Sequence, residues 1–180
     1  MRIRPAILLA SPLLLAAGCA STPDNLPPLA LATHVDIPRF MGDWYVIANI
    51  PTFLEKGAHN ARDSYRLDDD GTIATTFSYN ADAADGPPKH YESTGFVLDA
   101  ASNAVWGQQY VWPWKADYRI SYLSPDYREV VVARQKRDYV WIMARTPTIP
   151  EPDLARLSAF VAAQGYDASK LQRVPQDGAH

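Results

Sequence analysis

Eight short runs rich in β-branched and aromatic residues, each stopped by a turn cluster, occupy residues 42 to 145 and leave this chain few folds to choose from. "GDWYVIANI" stops at Pro51, "ARDSYRL" at "DDDG", and "TIATTFSYN" at "ADAADGPP". "KHYESTGFVLD", "AVWGQQY", "ADYRISYL", "REVVVAR" and "DYVWIMAR" follow with connections of hairpin length. Such spacing predicts an antiparallel meander. Tyr118, Ile120 and Tyr122 fall on one face of their strand by the two-residue period, with Asp117, Arg119 and Ser121 on the other. An open meander leaves two unpaired edges, which closure removes. The expected fold is therefore all-β, an eight-stranded up-and-down antiparallel β-barrel, with an interior just large enough for one small ligand.

One α-helix is expected after the barrel, over about 152–164. Pro152 suits its first turn, Leu154, Leu157, Phe160 and Val161 repeat at helical spacing, and Gly165 can close it in a left-handed conformation. Its apolar stripe has to pack on the outside of the sheet. "KLQRV" beyond it could add an edge strand, and 175–180 reads as a tail.

The chain opens "MRIRPAILLASPLLLAAGCAS". Arg2 and Arg4, an apolar core too short to span a bilayer permanently, and small residues before Cys19 read as an export signal over residues 1–18. Cys19, the only cysteine, follows "LAAG" and resembles the lipidated cysteine of the bacterial lipoprotein lipobox. The resemblance implies an acylated N-terminus and a membrane anchor, with Ala20 favouring the outer membrane. Residues 19–34, rich in Pro, Ala and Ser, read as a flexible tether. With Cys19 acylated no thiol remains for a disulfide or a nucleophile. Acidic residues outnumber basic ones 20 to 17, and no basic block occurs. Nucleic acid is not an expected partner, because phosphate binding needs clustered Lys and Arg.

Two motifs bracket the barrel. "MGDWY" opens the first strand with Gly42 and Trp44, and "RDYVWIMARTP" carries Asp138 and Tyr139 into the last strand and Arg145 out of it. Together with the helix that follows, and with "YRLDDDGTI" and "DYRISYLSPDYREVVVAR", they resemble the lipocalin family, and within it the outer-membrane lipoproteins of bacteria. The resemblance covers residues 35–174, nearly all of the chain beyond the export signal. It implies a calyx, shut at one end and open at the other, that binds a fatty acid or a lysophospholipid, held on the periplasmic face of a Gram-negative outer membrane. Homodimers occur in that subgroup. The family pattern puts Trp44 at the shut end with Arg145 across its indole, so that Gly42, Trp44, Asp138, Tyr139 and Arg145 are structural.

Ligand contacts are expected in the interior and at the open end, from Trp106, Tyr110, Trp112, Trp114, Lys115, Tyr118, Tyr122 and Trp141. The same aromatics could instead fill the core; apolar walls with a few polar groups suit a lipid tail and its head. The bacterial subgroup places the Trp141 position in the pocket. In "YVWPWKADY" Pro113 stiffens a turn expected to carry Trp112, Trp114 and Lys115 at the mouth, where Lys115 could meet an anionic headgroup and the indoles a membrane interface. In the loop "PTFLEKGAHN", Phe53 and Leu54 could form a lid, while Glu55, Lys56 and His59 read as solvated. No cofactor, metal or catalytic residue is expected. His59 and His90 lack partners at ligand spacing, "DDDG" lacks the alternating ligands of a calcium loop, and no serine sits in a nucleophile motif. Three roles remain: lipid carrier, structural or partner-binding lipoprotein with a filled barrel, and enzyme, the last disfavoured because the family's known transformation relies on a cavity cysteine.

Overall fold

The computed structural model describes residues 26–178. A one-turn helix α1 (Ile37–Phe40), capped by Asp36 Oδ1 accepting from the Arg39 amide at 3.2 Å, leads into the barrel. The strands are β1 (Gly42–Ile50), β2 (Ala58–Leu67), β3 (Ile73–Ala81), β4 (Pro88–Val97), β5 (Val105–Val111), β6 (Trp114–Leu123), β7 (Glu129–Ala133) and β8 (Val140–Ala144). Each pairs antiparallel with the next, and β1 pairs with both β8 and β2, so the sheet closes. Helix α2 (Glu151–Ala163) packs outside, and the two-residue β9 (Gln172–Arg173) adds to β1.

Two buried layers result. Inside the barrel lie Trp44, Val46, Tyr65, Ile73, Phe77, Trp106, Tyr118, Ile120, Val132 and Met143. Outside it, Leu154, Leu157 and Val161 of α2 cover Ile47, Ile50, Val131, Val140 and Ile142. Burying a side chain such as Leu157 contributes about 1.5 to 3 kcal/mol. Gly165, at φ +89°, ends the helix as expected, its amide reaching the Ala162 carbonyl at 2.9 Å.

Bulges decide which residues face which layer. Between Ile120 and Tyr122 the β6–β7 register shifts, so an extra residue turns the strand over. Tyr118 and Ile120 stay inside, but Tyr122 lies outside against Phe160, 5.6 Å between ring centres. The expected shared face of Tyr118 and Tyr122 is thereby corrected. A second shift between Val46 and Ala48 turns Ile50 outward under α2 and Asn49 inward.

The closure of β1 on β2 is short, running only from Gly42↔Tyr65 to Tyr45↔Arg62. Beyond it the C-terminal segment fills the seam: Gln176 Nε2 donates to Val46 O at 2.9 Å and to Ala61 O at 3.0 Å, and the Asn60 amide donates to Pro175 O. Residues 175–178 of the expected 175–180 tail thus lie against the wall.

The expected flexible tether is likewise corrected for residues 26–34. Gln135 Nε2 donates to Leu26 O and Pro27 O, the Ala32 amide bonds Ile120 O at 2.9 Å, and Leu29 is buried among the α2 contacts. Backbone groups satisfied by the wall hold this stretch against it. The export signal and Cys19 lie outside the described residues.

Candidate ligand-binding site

At the shut end, Gly42 adopts φ +93°, which only glycine takes readily, and Arg145 Nη1 would sit 3.4 Å from any Cβ placed there. Trp44 is fully buried, donates to Phe40 O at 2.9 Å, and carries the Arg145 guanidinium 3.9 Å above its ring centre. Arg145 also donates to Asp43 O and Phe40 O, both at 2.8 Å, and to Arg39 O at 3.1 Å. Phe40 plugs the base, 5.0 Å from Trp44 and 5.4 Å from Trp106 by ring centres.

Asp138 and Tyr139 act at the opposite end. Asp138 pairs with Arg134 at 3.3 Å, and Tyr139 O accepts from the Tyr166 hydroxyl at 3.0 Å, bracing the β7–β8 connection.

Above the plug the barrel holds two small spaces that share Glu55, Phe77, Gln108, Tyr110, Tyr118 and Trp141 in their linings. The upper one, about 110 Å³, is lined by Leu54, Glu55, Phe77, Tyr91, Gln108, Tyr110, Tyr118, Arg134 and Trp141 among others. The lower, about 30 Å³, adds Asp63, Tyr65, Val132 and Met143. A larger hollow of about 590 Å³ along Ser64, Arg66, Thr76, Glu92 and Thr94 follows strands β2 to β5 and mixes wall positions of both faces; it is open and polar. The interior spaces, partly open to solvent, are the ones where polar groups converge among the aromatic side chains of the barrel interior.

The loop after β1 builds the chamber roof. Tyr79 donates its hydroxyl to Leu54 O at 2.6 Å, and Glu55 turns inward. Its carboxylate accepts from Trp141 Nε1 at 3.1 Å, Asn49 Nδ2 at 3.2 Å and the Thr52 amide at 3.1 Å. Glu55 is 8% exposed, so its expected solvation is corrected. Burial raises its pKa, against the pull of those hydrogen bonds. Asp63, which lines the lower chamber, is pushed up to about 7 by burial and then by the nearby Glu55 charge. Tyr65 and Tyr118 join hydroxyls at 2.8 Å beside it. Gln108 Nε2 donates to Thr75 Oγ1 at 3.0 Å, leaving its Oε1 buried and unpaired. Among the described residues no cluster of His, Cys, Asp and Glu could hold a metal ion.

Of the residues expected to meet a ligand, the chamber brings together Trp141, Tyr110 and Tyr118. Trp106 lies lower and is fully buried, stacked on Tyr118 at 5.2 Å and bonded to Asn103 O; it fills the core. Trp112 and Trp114 stand on the rim, 82% and 77% exposed, and line neither chamber. Lys115 belongs to β6, not to the turn, and points outside, its ammonium 3.5 Å above the Phe96 ring and its chain over Gly107. Tyr122 faces α2, as described. Glu55, Asp63 and Gln108 were absent from the expected set. Alternation from Tyr65 places Asp63 inward and alternation from Trp106 places Gln108 inward, so both were within reach of the two-residue period. Nothing in the loop pattern marked Glu55.

A closed eight-stranded barrel, plugged by an arginine-capped tryptophan at one end and hollow beneath a folded loop at the other, defines a small-ligand container. The profile of the lipocalin-like domain matches residues 35–176, and the chain belongs to the lipocalin family. It is similar to the outer membrane lipoprotein Blc of Escherichia coli K12, 30% identical with 99% of each chain covered. It is also similar to temperature-induced lipocalin-1 of Arabidopsis thaliana, 31% identical over 79% of this chain and 80% of that one. Among solved structures, insecticyanin of the tobacco hornworm Manduca sexta has a TM-score of 0.67 at 13% identity, covering 86% of this chain and 87% of that one.

Proposed function

We propose that this protein is a membrane-anchored, lipid-binding lipocalin, tethered through Cys19 to the outer membrane, that holds a fatty acid or a lysophospholipid in maintenance of the cell envelope. The observation that carries the proposal is the interior chamber beneath Leu54, whose walls of Phe77, Tyr91 and Trp141 surround a few polar groups. The full-length likeness to an outer membrane lipoprotein supports the anchor. At about 110 Å³ the chamber is smaller than the roughly 300 Å³ at which small-molecule pockets begin, so a long acyl chain requires the loop 51–57 to lift. The bonds such lifting has to break are the Tyr79 hydroxyl on Leu54 O, the Asp82 amide on Gly57 O at 2.8 Å, and those of Trp141 and Asn49 to the Glu55 carboxylate.

A second role has its own observation. Phe40, Trp44, Tyr65, Trp106 and Tyr118 pack the lower barrel through direct ring contacts, as a structural lipoprotein with a filled interior would. One preparation separates the two. The chain from residue 19 with Cys19→Ser is expressed without its signal, extracted with solvent for mass spectrometry, and titrated with an environment-sensitive fluorescent fatty acid and lysophospholipid competitors. The carrier yields acyl species and saturable, displaceable fluorescence. Absence of both rejects it in favour of the filled barrel.

A further inference from the structure

The course of the chain fixes which end of the barrel lies near its anchor. Strand β1 leaves the Trp44 plug and climbs to the mouth, so the connections 51–57, 82–87, 112–113 and 134–139 ring the open end. Leu26, the first described residue, is held there: Leu26 O and Pro27 O accept from Gln135, and Pro27 O also accepts from Arg137, both on the β7–β8 connection. From this point the chain descends the outer wall, bonding Ile120 O through Ala32 and Ser102 O through Val35, to reach α1 at the shut end.

Leu26 lies seven backbone steps beyond Cys19. Seven steps span about 25 Å at full stretch and average about 15 Å as a coil. A nine-residue strand such as β1 is itself about 30 Å long. An anchor at Cys19 therefore reaches a surface beside the mouth with slack, and a surface beneath the plug only when drawn out along the wall.

The mouth carries what a lipid interface takes up. Phe53 is 76% exposed, Trp112 and Trp114 more so, and Leu54 and Val111 are exposed beside them. Tryptophan rings favour the headgroup boundary, where an apolar body and a polar N–H are both accommodated. The mouth connections carry Lys56, Arg134, Lys136 and Arg137 against Asp82, Asp85 and Asp138, with Glu55 buried. At the shut end the connections between strands bear Asp68, Asp69, Asp70, Asp99 and Asp126 against Arg128 alone, an acidic excess that an anionic surface repels.

We infer that the barrel docks mouth-down on the membrane, with Phe53, Trp112 and Trp114 entering the headgroup layer so that the chamber opens onto lipid. The inference rests on the Cys19 anchor of the proposed function for its distance argument, and on the rim alone for its chemistry.

Because Cys19 is the only native cysteine, an introduced one is the single labelling site in the lipidated protein. Trp112→Cys reports the mouth and Asp69→Cys the shut end, each carrying a nitrobenzoxadiazole fluorophore. The lipidated protein is reconstituted into phosphatidylethanolamine–phosphatidylglycerol vesicles with nitroxide-labelled headgroups. Docking predicts several-fold stronger quenching at position 112 than at 69; equal quenching, the reverse order, or none at either overturns it. A position-112 label shielded without vesicles in a sedimenting dimer also overturns it, assigning the rim to a second copy. The unlipidated Cys19→Ser chain tests the rim apart from the anchor. Its partition onto the same vesicles should fall about tenfold with Trp112→Ala and Trp114→Ala combined. An unchanged partition rejects mouth-down docking even if the anchor stands, whereas loss of vesicle attachment by the Cys19-bearing protein with that tenfold effect intact rejects the anchor alone.

Discussion

Trp141 donates its indole hydrogen to the Glu55 carboxylate at 3.1 Å, joining the last barrel strand to the loop that roofs the chamber. The bulge in β1 turns Asn49 inward, where its amide donates to the same carboxylate oxygen, Oε2, at 3.2 Å. Replacing Glu55 with Ala strands three donors at once, Asn49 Nδ2, Trp141 Nε1 and the Thr52 amide. The expected loss is about 2 to 3 kcal/mol of unfolding free energy, with Glu55→Gln losing less because its amide oxygen still accepts. Urea denaturation followed by tryptophan fluorescence measures both, and equal losses in the two variants would show that the Trp141 and Asn49 bonds contribute nothing.

Asp63 couples the chamber to pH. Its carboxyl is held near 7 in the folded protein, against 3.8 for an unperturbed aspartate, so protons leave the unfolded chain first as pH rises. The folded state then binds more protons than the unfolded, and stability falls between about pH 4 and pH 7. Asp63→Asn should remove this slope. The variant is expected to match the parent near pH 4 and to exceed it by on the order of 2 to 4 kcal/mol at pH 8. Denaturation midpoints across that range provide the comparison; a gain at pH 4 as large as at pH 8 would assign the effect to packing instead of charge.

How much of this was legible in the sequence depends on the range of the interaction. Strand and helix positions follow from local alternation and turn chemistry, which is why "GDWYVIANI" and "REVVVAR" lie on β1 and β7. The direction of individual side chains does not survive a bulge, so Tyr122 left the interior and Asn49 entered it. Lys115 was misplaced for a related reason: the turn is only Trp112–Pro113, flanked by the pair Val111↔Trp114, which returns Lys115 to the strand and its outer face. Glu55 was illegible because its burial depends on a loop folding back onto Tyr79 and Trp141, contacts distant in sequence that leave no local period.

Arg145 separates fold from site. It caps Trp44 and satisfies carbonyls of Arg39, Phe40 and Asp43 at the end remote from the chamber. Arg145→Ala should cost about 2 to 4 kcal/mol, and Arg145→Lys should recover only part, since an ammonium cannot cover the ring and reach three carbonyls together. The affinity of the folded protein for a fluorescent fatty acid should stay within twofold of the parent. A loss of affinity larger than that, at full foldedness, would place the shut end in communication with the ligand.

Gln176 tests the seam in the wall. Strands β1 and β2 part after Tyr45↔Arg62, and one side-chain amide bridges the opening by donating to Val46 O and Ala61 O. These carbonyls lie deep in the wall, where an unmet acceptor is costly, so Gln176→Ala should destabilise by about 1 to 3 kcal/mol. Hydrogen exchange gives the sharper measurement. The amides of β9 and of the upper half of β1, which lean on this segment, should exchange faster in the variant, while those of β5 and β6 across the barrel should change only by the global loss of stability. Uniform acceleration throughout would mean that the barrel opens as one unit and that the C-terminal segment is not a separate closure.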